Sequence, residues 1–251
     1  MLRQFGLGAL VLALTSLAAG GIGGARAQSA ADSVGTRIDT SALVEAAGLT
    51  SEAAKYGVRV VKPPKLFDKA FRDASAARHA QDIAELTQAF IALDPAVVDP
   101  AEAARAARAV YTYVDQLVVE YQIEDSPLVH NTKVNMGIKP RGLCWHWAHD
   151  LDLRLQMERF RTLEIHRAIA NYNNIRLEHS TTLLGPKGGR MEDAIVLDPW
   201  RKGGELVWKI AREDTRYNWT EREQVFAYKR KMAEARARRD AESAMPRRRD
   251  R

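Results

Sequence analysis

A cysteine, a histidine and an aspartate in the second half of the chain have the side chains that nucleophilic catalysis requires. Cys144 is the only cysteine, so it cannot form a disulfide within the chain, and a free thiol needs either burial or a chemical role. His179 can take and give protons near neutral pH, and Asp198 can orient an imidazole by accepting its N–H. Together the three residues predict a cysteine nucleophile with a histidine base and an orienting aspartate.

Cys144 stands at the predicted start of a helix, where loop-forming sequence from Glu124 to Gly142 ends. The helix is predicted by an apolar stripe at four-residue spacing, Leu143, Trp147, Leu151 and Leu155. The unpaired amides of a helix N-terminus favour a thiolate over a thiol. The same amides, including those of Cys144 and Trp145, would also hold the oxyanion that forms when a carbonyl is attacked.

An antiparallel sheet is predicted after Phe160, and His179 and Asp198 lie on it. The predicted strands are Leu163 to Ala170, Ile175 to Leu184, Ala194 to Leu197 and Leu206 to Ile210. A two-residue turn at Gly188-Gly189 would place His179 directly opposite Asp198, with Cβ atoms about 5 Å apart. A register moved by two residues keeps both side chains on one face, whereas a one-residue shift separates them.

Each residue of the trio also has a purely structural interpretation. Cys144 alone is equally a small buried apolar residue. His179 alone is a histidine near a strand end that makes local hydrogen bonds, and Asp198 is a turn-forming aspartate before Pro199. The order and positions of the three residues, taken together, favour the chemical interpretation.

The motifs around these residues resemble those of the transglutaminase-like branch of the papain-like cysteine peptidases and amidases. The resemblance covers about Pro140 to Trp219 and rests on three stretches: Gly142-Leu143-Cys144-Trp145-His146-Trp147-Ala148, Glu178-His179-Ser180 and Val196-Leu197-Asp198-Pro199-Trp200. It implies a papain-like α+β core in which Cys144 attacks an amide carbonyl, His179 moves protons and Asp198 orients the histidine. Water, or an amine in cross-linking members, then releases the acyl group.

The chain departs from papain in having no glutamine shortly before Cys144 for the oxyanion hole. Asn135, Trp145 and Trp200, together with backbone amides, are the predicted substitutes or cleft residues. A second hypothesis is therefore a non-catalytic module that keeps the trio and binds an envelope partner.

A metal site is the rival interpretation of the same region. Cys144, His146, His149 and Asp150 lie within two helical turns, and the two histidines are three residues apart. Against it, Cys144 and His146 are two apart and point in divergent directions, and the usual paired cysteines are absent. We predict no metal and no cofactor.

The predicted organisation has four parts. Residues 1–27 have the basic, apolar and small-residue regions of a signal peptide that is cleaved after Ala27, an uncleaved inner-membrane anchor being the alternative. Residues 28–125 form a helical N-terminal region, with helices from Ala74 to Leu93 and from Asp99-Pro100 to Ile123. Residues 126–219 form the α+β core, and residues 220–251 a basic helix and tail.

The net charge and the predicted location restrict the partners that the chain is expected to bind. Lys229 to Arg251 hold ten Lys or Arg against four Asp or Glu, which matches the +6 of the whole chain. A solvated helix is the favoured interpretation, and contact with an anionic surface the alternative; no specific nucleic acid is predicted. The sequence predicts a periplasmic or secreted cysteine hydrolase, an amidase or peptidase, whose substrate is an envelope peptide or protein.

Overall fold

The structure, a computed structural model, describes residues 63–174 and 176–244. The first half of the described chain is helical. Their bounds are α1 Lys69–Arg78, α2 Ala80–Leu93, α3 Pro100–Tyr121, α4 Pro127–Asn135 and α5 Cys144–Gln156. The carboxylate of Asp99 caps α3 by accepting the N–H of Glu102, and Pro100 occupies the first turn, where its missing N–H costs nothing. The predicted start of α3 is confirmed.

One helix prediction and one loop prediction were wrong. The single helix from Ala74 to Leu93 is divided at His79, whose ring bonds Asp82 and Asp115 and whose N–H closes the last turn of α1. The loop predicted from Glu124 to Gly142 contains α4. Pro127, which reads as a loop residue, instead opens this helix at a position that suits proline.

The second half is a five-stranded antiparallel sheet followed by a long helix, which confirms the α+β class. The elements are β1 Leu163–Ala170, β2 His179–Pro186, β3 Ile195–Lys202, β4 Glu205–Ile210, β5 Trp219–Glu221 and α6 Arg222–Ala244. The strand order is β4-β3-β2-β1-β5. The bounds of β1 are as predicted, whereas β2 begins at His179 and the predicted start, Ile175, lies outside the described residues. β5 was not predicted.

The helix that carries Cys144 packs on the sheet. Trp147, Leu151 and Leu155 are buried in the main core, as the stripe predicts, while Leu143 is half-buried at the helix start. The hydroxyl of Thr182 on β2 donates to the Ala148 carbonyl of α5 at 2.6 Å. This buried hydrogen bond fixes the height of α5 along β2.

The predicted hairpin register was wrong by two residues. β2 and β3 pair Thr182 with Leu197, so that Asp198 lies two residues along from the position opposite His179. The cause is a longer connection, because a short 3₁₀ helix, Met191–Asp193, follows Gly188-Gly189 before β3 begins. A shift of two preserves the side-chain face, and both residues remain on it.

Two of the predicted parts, the signal peptide and the C-terminal helix, lie at the ends of the chain. The proposed signal peptide, residues 1–27, lies outside the described residues. Within the described part, every helix is too short or too polar to cross a lipid bilayer. The predicted C-terminal helix is present and begins at Arg222 instead of Thr220, because Trp219–Glu221 joins the sheet as β5.

Candidate functional site

The turn that leads into Cys144 is held by two aromatic side chains. His130, buried on α4, donates through Nε2 to the carbonyl of Arg141 at 2.8 Å, and the Trp147 indole donates to the carbonyl of Gly142 at 3.0 Å. Gly142 has φ of +125°, and a Cβ added there would lie 2.4 Å from Nε2 of His130. Only glycine fits both this backbone conformation and this close approach.

His146 supports the same turn from inside α5. Its Nδ1 accepts the N–H groups of Gly142 at 3.1 Å and Leu143 at 3.2 Å. Burial, together with a smaller effect of the positive charge of Arg141, lowers the pKa of His146 to about 4. The ring is therefore neutral at physiological pH, and its unprotonated Nδ1 is free to accept both amides.

Cys144 is the first residue of α5, as predicted, and it is partly exposed. Its Sγ lies 4.0 Å from the carbonyl oxygen of Glu178, the residue before His179. The N–H groups of Cys144 and Trp145 belong to the first helical turn, where an α-helix offers no internal acceptor. They are available to a carbonyl oxygen bound beside the sulfur.

His179 and Asp198 form a buried hydrogen-bonded pair. Nε2 of His179 donates to Oδ2 of Asp198 at 2.7 Å, and the two side chains are 3% and 1% exposed. The other ring nitrogen, Nδ1, is buried without a hydrogen bond to any described residue. The ring is thus oriented by Asp198 and keeps Nδ1 available for a reacting group.

The electrostatics of the site favour a charged His179. Burial alone would lower its pKa, but the charge and hydrogen bond of Asp198 outweigh burial and raise the pKa to about 9, with a further contribution from the nearby Cys144 side chain. Imidazolium is therefore the form of His179 at neutral pH. A protonated histidine beside a cysteine is the arrangement that stabilises a thiolate.

Three aromatic rings surround the imidazole. The ring of His179 lies 4.6 Å from that of Tyr217, 4.7 Å from Trp200 and 5.5 Å from Trp219, measured between centroids. Tyr217 and Trp219 reach the site because β5 pairs with β1 at Ala170, which itself pairs with His179. The rings exclude water from the pair and strengthen its electrostatic interaction.

Asp198 has a second partner behind the histidine. The carboxylate accepts the Nε–H of Arg201 at 3.0 Å and the Arg201 backbone N–H at 3.2 Å. Pro199 cannot donate to the strand ladder, and the register of β3 against β4 shifts between Asp198 and Lys202. This irregularity turns Arg201 back toward Asp198.

The three predicted cleft residues fall in different places. Trp200 lies against His179, and its indole donates to Oδ1 of Asn131 at 3.0 Å. Trp145, half-exposed beside Cys144, packs on the His146 ring at 3.9 Å between centroids. Asn135 is exposed at the end of α4, and Asn131, one turn earlier, is the asparagine that reaches the site.

The rival metal constellation is not assembled. Nδ1 of His146 is occupied by two backbone amides, and both oxygens of Asp150 bond Arg141, at 2.8 and 2.9 Å, with a further bond from Tyr121. Across residues 63–174 and 176–244, no group of three or more metal-ligating side chains is placed to hold an ion.

The residues that support the site were not predicted from the sequence. Arg201 was detectable, because the Asp-Pro-x-Arg sequence places a cation three residues after the carboxylate, and its proline interrupts regular strand pairing. Tyr217 and Trp219 could not be placed from the sequence, because they reach the site only through the pairing of β5 with β1. His130 gives no signal in the sequence. It reaches the turn only because Pro127–Asn135 forms α4, and this stretch was predicted to be a loop.

Comparisons of the chain with protein-family models, with curated proteins and with solved structures gave no match.

Proposed function

We propose that the protein is a cysteine-dependent amidase or peptidase that works by acyl transfer. The observation that carries the proposal is the buried His179–Asp198 pair, hydrogen bonded at 2.7 Å, with Cys144 at the first turn of α5 close enough to raise the pKa of the histidine. A structural cysteine needs no oriented, protonated histidine beside it.

In the first half of the reaction, the Cys144 thiolate attacks the carbonyl carbon of an amide. The C–S bond forms and the carbonyl electrons move to oxygen, where the N–H groups of Cys144 and Trp145 would stabilise the charge. The tetrahedral intermediate collapses, the C–N bond breaks, and the His179 imidazolium gives its Nδ1 proton to the leaving amine. A thioester on Cys144 and a neutral His179 remain.

In the second half, neutral His179 takes a proton from water, whose oxygen attacks the thioester carbonyl. The C–S bond breaks, the acid is released, and the thiolate–imidazolium pair is restored. Asp198 holds the ring through both steps. The same residues would transfer the acyl group to an amine if an amine replaced the water.

The proposed family and location follow from the sequence. The order of cysteine on a helix, histidine on one strand and aspartate on the next supports a papain-like core of the transglutaminase-like branch. A cleaved signal peptide in residues 1–27 would deliver the enzyme to the periplasm or beyond, where an envelope peptide or protein amide is the proposed substrate.

The test is the pH dependence of iodoacetamide labelling of Cys144. The full chain is compared with His179→Ala and Asp198→Asn, and with the urea-unfolded chain, by mass spectrometry. We expect rapid labelling well below pH 8.5 in the folded chain. Each variant should slow labelling at pH 6 by about tenfold or more, since the imidazolium that stabilises the thiolate is lost or weakened.

The opposite outcome would favour the binding module. If Cys144 reacts only above pH 8.5 or only after unfolding, and the variants change nothing, the thiol is structural. If labelling is rapid but a library of envelope-type peptides and small amides yields neither hydrolysis nor a trapped thioester, the thiol is activated without turnover.

A further inference from the structure

Behind the proposed catalytic trio lies a line of buried charges of alternating sign. Arg201 bonds Asp198 on one side and Asp214 on the other, with Nη2 2.7 Å from Oδ2 and Nη1 3.2 Å from Oδ1 of Asp214. The sequence of charges is His179 positive, Asp198 negative, Arg201 positive and Asp214 negative. The side chains of Arg201 and Asp214 are 7% and 0% exposed, so solvent screens them weakly.

The Asp214 carboxylate is held in this position by several hydrogen bonds. It accepts the Trp219 indole N–H at 3.0 Å and the Arg216 backbone N–H at 3.2 Å, in addition to the bidentate bond from Arg201. Burial would raise its pKa, but these donors outweigh burial and lower the pKa. The carboxylate is therefore ionised at neutral pH and fixes the guanidinium.

Arg201 and His179 compete for the same oxygen. Oδ2 of Asp198 accepts both the imidazole N–H at 2.7 Å and the guanidinium N–H at 3.0 Å. A carboxylate that already faces a cation holds a second cation less strongly, because the two positive charges repel each other across it. The guanidinium therefore weakens the attraction between Asp198 and the histidine proton.

We propose that Arg201, clamped by Asp214, is a positioning residue that keeps the His179 imidazolium acidic enough to release its proton to the leaving amine. Arg201 also holds the Asp198 carboxylate so that Oδ2 stays aligned with Nε2. The inference rests on the proposed function, since it assigns His179 the role of general acid, yet its physical content, a control of proton affinity, can be measured without turnover.

Charged and titratable groups face His179 from several elements. β3 supplies Asp198 and Arg201, α5 supplies Cys144, and the segment before β5 supplies Tyr217, with the guanidinium of Arg216 5.6 Å from that ring. Beside the histidine, Glu178 is paired with Lys229 of α6. Arg201 is the cation that bonds the oxygen shared with the imidazole.

Alternating charges predict effects of opposite sign. Arg201→Met removes the competing cation, so His179 should bind its proton more tightly and titrate at a higher pH. Asp214→Asn removes the anion that offsets Arg201, so the full guanidinium charge acts on Asp198 and His179 should titrate at a lower pH. The shift should be about one pH unit for Arg201→Met and smaller for Asp214→Asn, because Asp214 acts on the imidazole from the far side of the guanidinium.

The experiment follows the His179 ring by long-range ¹H–¹⁵N correlation spectra across pH 5–11. The full chain carries Cys144→Ala, so that no thiol titrates beside the ring. A matched control is Arg154→Met, which removes another guanidinium of low exposure, paired with Glu158, about 15 Å farther along α5 than Cys144. We expect no shift from the control.

Opposite shifts in Arg201→Met and Asp214→Asn support the inference. Shifts of the same sign, or shifts no larger than that of the control, overturn it whether or not the enzyme turns over any substrate. If Arg201→Met does not fold, because Asp214 is left buried without its cation, Arg201→Met with Asp214→Asn replaces it. This double variant should still titrate above the parent, by less than the single change.

Discussion

At the scale of single residues, two histidines of the site are held in opposite protonation states. His146 is a hydrogen-bond acceptor with a pKa lowered to about 4, and His179 is a donor with a pKa raised to about 9. Each ring contributes stability on a different side of pH 6.5, the ordinary value for histidine. The two contributions can therefore be separated by titration.

The neutral state of His146 should stabilise the fold above pH 6.5. Its folded pKa lies below its unfolded value, so this contribution is present above pH 6.5 and is lost as pH falls toward 4. In that window the unfolding free energy should fall by up to about 1.4 kcal/mol more per pH unit than in His146→Asn, whose Oδ1 can accept the same amides without titrating. Urea unfolding of both chains from pH 7 to 4 measures the difference, and parallel curves would contradict it.

His179 should stabilise the fold below pH 6.5, where its imidazolium is fully formed. Its folded pKa is raised, so the contribution of the imidazolium is complete below pH 6.5 and disappears as pH rises through about 9. Between these values the intact chain should lose unfolding free energy relative to His179→Gln, which keeps an N–H donor for Asp198 but carries no charge. Urea unfolding from pH 6 to 10 is the measurement, with Cys144→Ala in both chains to remove thiol titration.

Gly142 should be irreplaceable by alanine. The added Cβ meets the buried His130 ring, and φ of +125° is strained for any other residue. We expect Gly142→Ala to cost about 2–4 kcal/mol of unfolding free energy and to slow labelling of Cys144. Gly137→Ala is the matched control, because Gly137 also has positive φ but open space around it, and it should cost about 1 kcal/mol. Equal losses would remove the role assigned to the His130 contact.

At the scale of elements, the site depends on how α5 sits against β2. Thr182→Val removes the hydroxyl that donates to Ala148 while keeping the side-chain volume, so it should cost about 1 kcal/mol and lower the labelling rate of Cys144 at pH 6. Thr182→Ser keeps the hydroxyl and should preserve the rate. A labelling rate that falls in Thr182→Ser, which loses the methyl group, but not in Thr182→Val, which loses the hydroxyl, would contradict this account.

The elements also show how far the sequence predicts the fold. The stripe through Trp147, Leu151 and Leu155 predicts α5 because helix periodicity and burial agree there. The register at Gly188-Gly189 could not be predicted, since the Met191–Asp193 turn depends on contacts outside the hairpin. β5 is three residues long and owes its existence to pairing with β1, which no local pattern reveals. Proximity to Cys144 in the sequence favours Asn135, whereas helix geometry brings Asn131 to Trp200.

At the scale of the whole molecule, α6 divides into an anchored and a solvated part. Val225 is fully buried, and Lys229 pairs with Glu178, whereas nearly every described side chain after Lys229 is exposed. Truncation after Arg230 should therefore change the unfolding free energy by less than about 1 kcal/mol, and truncation after Glu221 should cost several times more. Thermal and urea unfolding of the two chains provide the comparison, and similar losses would contradict this division.

Contact with an anionic surface remains a prediction for the basic residues after Tyr228. A chain truncated after Arg230 keeps the Lys229–Glu178 pair and should bind vesicles containing anionic lipid more weakly than the full chain, with a difference that disappears at high salt. Unchanged binding would contradict this prediction.

The late position of β5 has a consequence for biosynthesis. Protein chains emerge from the ribosome beginning at the N-terminus, so Cys144, His179 and Asp198 all appear before Asp214, Tyr217 and Trp219. A chain that stops short of these residues holds the three reacting groups but lacks the anion that fixes Arg201 and two of the rings that enclose the imidazole. Under the proposed function, the surroundings of His179 are therefore incomplete until β5 has been synthesised and has joined the sheet.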